Sequence, residues 1–365
     1  MKILIDIGHP AHVHYFRNAI KILQSKGHEI LITTRDKEVT LDLLKGYGLP
    51  YICTGKNKKG TLKKIFSMVR NDFAIYKAAK KFNPDLFLSF FSPFAAQVGA
   101  FMKKPVIGFT DTEFAKMSIR LTLPFTDHVF TPHCFTTDFG NKHFRFKGYM
   151  EHFYLHEKYF SPDRSILQQI GLSDQETYYI MRFVSFNAGH DAGESGIDNK
   201  SKVNIARLLS EKNRLFISSE DELPKEFEKF RISLPPQKFH DLLAFSSLYI
   251  GEGITTASEC ALLGVPTILI NTLSTSYIDE HEKNGLVYRF PDATKALGKI
   301  TELYQDQSLR ETIRNKSKMV SQSLIDCTAF TVWMVENYPE SIHTLRENPS
   351  ILELFGHQKE ISSIL

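Results

Sequence analysis

The chain is predicted to be an α/β protein of two domains, each built on a doubly wound parallel sheet. Three observations predict this. Apolar runs of strand length alternate with amphipathic helical segments along most of the 365 residues. Glycine-rich and polar loops repeatedly follow the strand runs, where the ligand-binding edge of such a sheet lies. An irregular, aromatic-rich segment at 144–174, with Pro162 inside it, breaks the alternation midway.

The length suits two domains, each with its own core. Hydrophobic residues make up 42% and charged residues 24%, a globular composition. A formal net charge of +4 is too mild for a nucleic-acid partner, and none is expected. Cys53, Cys134, Cys260 and Cys327 have neither paired nor metal-type spacing and read as reduced thiols of a cytoplasmic protein. Residues 1–7 are apolar, but Asp6 interrupts the run and Gly8-His9-Pro10 ends it, too early for a signal peptide or a membrane span. Any membrane contact is expected to be peripheral, at the inner face. The basic stretch at 56–64 beside an apolar helical stripe would suit anionic lipid, or is a solvated loop before a core helix.

In the N-terminal half, residues 2–7 read as a buried strand, followed by a turn, an amphipathic helix ending near Gly27, and a strand at 28–33. Helical segments near 39–45, 62–82 and 94–102 then alternate with strands at 51–53, 85–90, 105–109 and 128–131. His9, His12 and His14 fall after the first strand, with Gly8 at the turn. A neutral imidazole there could take a proton from a hydroxyl, or these histidines could simply cap the helix. Asp111 and Glu113 follow the strand at 105–109, where a carboxylate could act as a base or, in the case of Asp111, cap the next helix.

The second half opens with a strand at 177–183 ending in Arg182. The polar loop at 184–197 carries Ser185, His190 and Asp191 and runs into a helix near 201–209, which makes it a candidate phosphate cradle. Strands at 214–218 and 230–233 and a helix near 240–245 lead to LYIGEGITTASECALLGVPTILIN at 248–271. Here a strand, the turn Gly251-Glu252-Gly253, a helix and a second strand succeed one another. A glycine turn feeding a helix presents unpaired N–H groups and the positive end of the helix dipole, a place for phosphate. Thr255 and Thr256 line its first turn, and Glu259 could accept hydrogen bonds from a ribose. The alternative is a helix capped by Thr255, with Glu259 solvated. Asn271 and Glu280 follow the next strand, within reach of a donor sugar. A last strand at 287–290 and a helical tail containing Trp333 complete the chain.

Three motifs, DIGHPAHVHYFRN, RFVSFNAGHDAG and GEGITTASECALLGVP, carry a resemblance over nearly the whole chain. On them the chain resembles domain-of-unknown-function family 354, of the GT-B superfamily that includes glycosyltransferases and UDP-GlcNAc 2-epimerases. The resemblance implies a GT-B fold, two Rossmann-like domains facing a cleft. Residues 1–150 would form an acceptor domain, 151–176 a linker, 177–330 a nucleotide-sugar domain, and 331–365 a tail packing back on the first. It also implies a diphosphate at Gly253, a ribose at Glu259, and no cofactor beyond a nucleotide-diphosphate sugar, UDP-linked, as substrate. The partner would be a glycan or lipid-linked acceptor; oligomeric state is left open. The His12-Val13 step resembles the Gly-Gly-His-Val loop of the N-acetylglucosaminyltransferase that makes lipid II, although His-Pro-Ala stands here in place of the glycines. No Asp-x-Asp metal motif occurs. The leading expectation is a metal-independent glycosyltransferase that moves a sugar from that donor to an acceptor hydroxyl in glycan or polysaccharide biosynthesis; a sugar-nucleotide epimerase is the first alternative, although the Arg-Pro-Glu loop and paired arginines of those enzymes are missing. A non-catalytic sugar-nucleotide or glycan binder is the second.

Overall fold

The computed structural model describes residues 1–56, 61–184, 196–220 and 222–356. The chain forms two compact units: Met1–Tyr154 with the chain from Leu324 onward, and Leu155–Ser323. The stretch 151–176 is therefore divided between the units rather than lying between them, and the chain rejoins the first unit at Leu324.

The first unit runs β1 (Lys2–Ile7), α1 (Pro10–Ser25), β2 (Glu29–Asp36), α2 (Thr40–Gly46), β3 (Tyr51–Lys56), α3 (Thr61–Phe82), β4 (Leu86–Ser89), α4 (Pro93–Phe101), β5 (Val106–Phe109), α5 (Lys116–Thr122), β6 (His128–Pro132) and β7 (His143–Phe146), with a short α6 (His152–Leu155) at the boundary. Its strands are parallel in the order β3-β2-β1-β4-β5-β6-β7. β1 is central and buried almost throughout, which is why KILIDI reads as a continuous apolar run rather than an alternating one. α1 begins with Pro10 in its first turn and buries Val13, Phe16, Ile20 and Leu23 at helical spacing. β7 is a short edge strand that overlaps the start of the segment read as irregular.

The second unit runs α7 (Ser165–Gln169), β8 (Tyr178–Phe183), α8 (Asn199–Ser210), β9 (Arg214–Ser219), α9 (Phe239–Phe245), β10 (Leu248–Gly251), α10 (Ile254–Leu262), β11 (Thr267–Ile270), α11 (Ser276–Lys283), β12 (Val287–Phe290), α12 (Ala293–Gln305) and α13 (Gln307–Ser323). Its parallel order is β12-β11-β10-β8-β9. Met181, Ile217, Ile250, Ile268 and Ile300 are fully buried in its core. The strand expected at 230–233 is replaced by a 3-10 turn, Lys225–Phe230, and a single bridge from Arg231 to Ile217. The chain returns to the first unit with α14 (Cys327–Glu336) and α15 (Glu340–Glu347). α14 packs on α1, and Trp333 is buried beside Phe330 and Phe355.

Each sheet reverses its strand order once, between β1 and β4 in the first unit and between β8 and β10 in the second. The crevice beyond the strand ends at such a reversal is where ligands bind in open α/β sheets. No helix among the described residues is long and apolar enough to cross a membrane.

Candidate functional site

In the second unit the reversal brings β8 and β10 side by side, with Gly251 in register with Arg182. Gly251 is required by packing, because a Cβ there would lie 2.2 Å from the hydroxyl of fully buried Tyr249. Gly253 is the N-cap of α10, and no side chain among the described residues caps that helix. Its first-turn N–H groups and positive dipole end therefore face whatever lies beyond the turn. The Arg182 Nε is 3.9 Å from where a Cβ on residue 253 would stand, so the guanidinium lies against this turn. Bonds to Ser218 Oγ (2.7 Å) and Glu220 (3.0 Å), and the face of Phe239 at 5.3 Å, hold it there.

Sequence reasoning passed over Glu252, which organises the turn. It is fully buried, accepts hydrogen bonds from the backbone N–H groups of Val184 (2.9 Å) and Ile197 (2.7 Å), and pairs with Lys202 at 3.3 Å. It thus ties down both flanks of the loop following β8. Ser185, His190 and Asp191, expected in that loop, lie outside the described residues.

Glu259 is on the second turn of α10 and is buried rather than solvated. Its Oε1 lies 2.9 Å from Nε2 of buried His240, a partner that no local pattern announced. Thr255 is half-buried and Thr256 buried. Thr255 does not cap α10; the turn glycine takes that position. Asn271, expected at a donor sugar, instead spends its amide on the backbone: Nδ2 donates to the Glu252 carbonyl and Oδ1 accepts from Leu273 N–H, both at 2.8 Å. It braces the glycine turn against the end of β11. Glu280 is half-buried on α11. The neighbouring His281 is fully buried and shares a 3.0 Å bond with Ser258, and burial brings its pKa down to about 4. His281 is therefore a neutral link between α10 and α11 at physiological pH.

In the first unit the reversal lies between the loops after β1 and β4. His9 Nδ1 accepts from Ala11 N–H at 3.2 Å, so His9 is the N-cap of α1 and fills the capping alternative rather than that of a base. His12 Nδ1 accepts from Gly8 N–H at 3.3 Å, and its ring packs on Phe90, centroids 4.6 Å apart. That bond assigns the ring proton to Nε2. Burial first, then the charges of His9, Lys37 and Arg35, hold the His12 pKa well below the usual imidazole range. His12 is thus a neutral donor in this arrangement, and using it as a base would require exchanging tautomers. His14 is buried against Tyr47 and Tyr154, away from the turn.

Asp111 follows β5, two strand spacings from β1, roughly 10 Å across the same sheet edge. It is not a helix cap, since α5 begins beyond Ala115. Burial raises its carboxyl to about 6 against a 2.8 Å bond from Thr112 Oγ1, the tuning expected of a base working near neutrality. Glu113 Oε1 accepts from Thr136 N–H at 3.2 Å and ties two loops together. Among the described residues no group of three or more His, Cys, Asp or Glu could hold a metal ion.

The two reversed parallel sheets, each with glycine turns at its switch point, define a protein of the GT-B fold. The chain belongs to the family described as protein of unknown function (DUF354), whose sequence model matches residues 1–339. It is 25% identical over 303 residues to the uncharacterized protein MJ0665 of Methanocaldococcus jannaschii, covering 79% of this chain and 87% of that protein. Among solved structures, UDP-GlcNAc 2-epimerase from Neisseria meningitidis bound to UDP-GlcNAc superposes with a TM-score of 0.65 at 16% identity, covering 88% of this chain and 98% of that one. The glycosyltransferase SsfS6 of Streptomyces sp. SF2575 does so with a TM-score of 0.58 at 13% identity, covering 92% and 100%.

Proposed function

We propose that the protein is a glycosyltransferase that moves a sugar from a nucleotide-diphosphate donor, UDP-linked, to a hydroxyl acceptor. The observation that carries this reading is the uncapped amino end of α10 at Gly253 beside the Arg182 guanidinium. It has the chemistry to hold a diphosphate and to stabilise it as it leaves: fixed N–H donors, a helix dipole and a cation. Glu259, held by His240, takes the ribose hydroxyls. Asp111 takes the proton of the acceptor hydroxyl; the oxygen then attacks the anomeric carbon, and the bond to the diphosphate breaks with its electron pair leaving on the nucleotide. With helix and arginine bearing that charge, the reaction needs no metal.

A sugar-nucleotide epimerase is the second reading. The observation favouring it is again Asp111, because a carboxyl near 6 can also exchange a proton with a sugar carbon or hydroxyl. Incubation with UDP-GlcNAc, followed by proton NMR, separates the two. A transferase leaves the sugar nucleotide intact until an acceptor is added and then releases UDP in step with product; conversion to the 2-epimer without any acceptor contradicts transfer.

A further inference from the structure

We infer that the first unit holds a second anion site, built on Arg35, His12 and Lys37 at the β1–α1 turn, which takes a phosphate group carried by the acceptor. The role as acceptor rests on the transferase reading; the site itself rests on the geometry of this unit. Arg35 stands near the end of β2, next to β1. Its guanidinium lies over Gly8, where a Cβ would be 2.3 Å from one terminal nitrogen, and it rests on the face of Phe94 at 4.5 Å. Its Nε is buried and makes no hydrogen bond, and no carboxylate among the described residues forms an ion pair with it. The nearby Asp6 carboxylate, bonded by Thr33 Oγ1 (2.8 Å) and Ser92 Oγ (2.6 Å), favours the Arg35 charge through space but forms no ion pair with it.

A half-buried guanidinium whose Nε is buried and unmet is costly unless an anion completes it. The surroundings supply further donors. His12 presents Nε2–H once Gly8 has engaged Nδ1. Lys37 adds an ammonium, paired at 3.2 Å with the exposed rim carboxylate of Glu38, which also lies 3.7 Å from His9 Nε2. The sixteen-residue α1 directs its positive end at the same place. Burial and the nearby positive charges all depress His12, and an added anion would relieve that repulsion. Guanidinium, ammonium and imidazole N–H around a glycine match a phosphate monoester or diphosphate better than a neutral sugar.

The test is titration calorimetry of the full chain with inorganic phosphate and glycerol 3-phosphate, and sedimentation with phosphatidic acid vesicles, each with and without saturating UDP. Phosphate is expected to bind with UDP present, and its affinity to fall at least tenfold in Arg35→Met and in Gly8→Ala, while UDP affinity changes less than twofold. Arg35→Lys should recover part of the loss. Arg35-dependent binding of glycerol 3-phosphate supports a soluble acceptor, and Arg35-dependent vesicle binding a lipid-borne one. Should Arg35→Met not fold, Gly8→Ala decides, since it keeps the arginine and obstructs only the site. The proposal is overturned if wild type binds no phosphate, if UDP displaces it, or if binding survives Arg35→Met and is lost in Gly253→Val. Arg35-dependent phosphate binding in a protein that does not bind UDP would keep this site and remove the transferase reading.

Discussion

Replacing Asp111 with asparagine is expected to abolish turnover while making the protein more stable at neutral pH. The carboxyl is buried, and its pKa stands at about 6 against an ordinary value of 3.8. A folded-state pKa above the unfolded one means that the fold prefers the protonated form, so ionisation at neutral pH costs stability, on the order of 2–3 kcal/mol for a shift of this size. Asparagine keeps the bond from Thr112 Oγ1 and carries no charge to bury. The gain in melting temperature is full above about pH 6, shrinks as pH falls through the window from 6 to 3.8, and vanishes below it. Catalysis moves the opposite way: losing a positioned base costs about 10²–10⁴ in rate, and wild-type activity declines as pH falls through about 6. Melting curves and initial rates from pH 4 to 8 check both halves. An equally stable but active variant would remove Asp111 from the chemistry.

Replacing Glu252 with alanine is expected to be the most damaging change in the second unit. It orphans the N–H groups of Val184 and Ile197 and leaves the Lys202 ammonium, 18% exposed, without its carboxylate. Breaking a buried pair in this way costs about 3–5 kcal/mol. The loop after β8 loses the anchor at both flanks, so nucleotide affinity falls with stability, by tenfold or more. Glu252→Gln retains one acceptor oxygen and should lose less in a urea titration. Equal losses in the two variants would mean that the Lys202 pair, not the backbone anchoring, is what matters.

These two residues show where the sequence was informative. Asp111 stood out as a candidate because it follows a strand in a run whose alternation was legible, and strand ends are where a doubly wound sheet binds ligands. The same periodicity set out most strands and the longer helices, but not α6, α7 or α11, nor the turn at Lys225–Phe230. Glu252 could not be found: between two glycines it reads as a loop carboxylate, and its partners are backbone groups 68 and 55 residues away. His240 and Glu259 meet only because α9 and α10 flank one strand end. Arg35 acquires meaning from Gly8, just past the end of the neighbouring strand β1, a relation the pairing of β1 with β2 brings about. Asn271 carries a structural role that the sequence did not announce. It follows β11, and its amide bonds the glycine turn it braces through partners that only the fold brings near.

The most direct test of the account is titration calorimetry of UDP into wild type, Asp111→Asn and Gly253→Val. A side chain at 253 would come within 3.2 Å of Val184 and fill the space before the amino end of α10. The account predicts one UDP per chain in wild type, unchanged affinity in Asp111→Asn, and loss of binding in a folded Gly253→Val protein. At a hundred times its dissociation constant, UDP should also stabilise wild type by about 2.7 kcal/mol. Absence of UDP binding in wild type, or equal binding in Gly253→Val, would contradict the assignment of the nucleotide to the Gly253 turn.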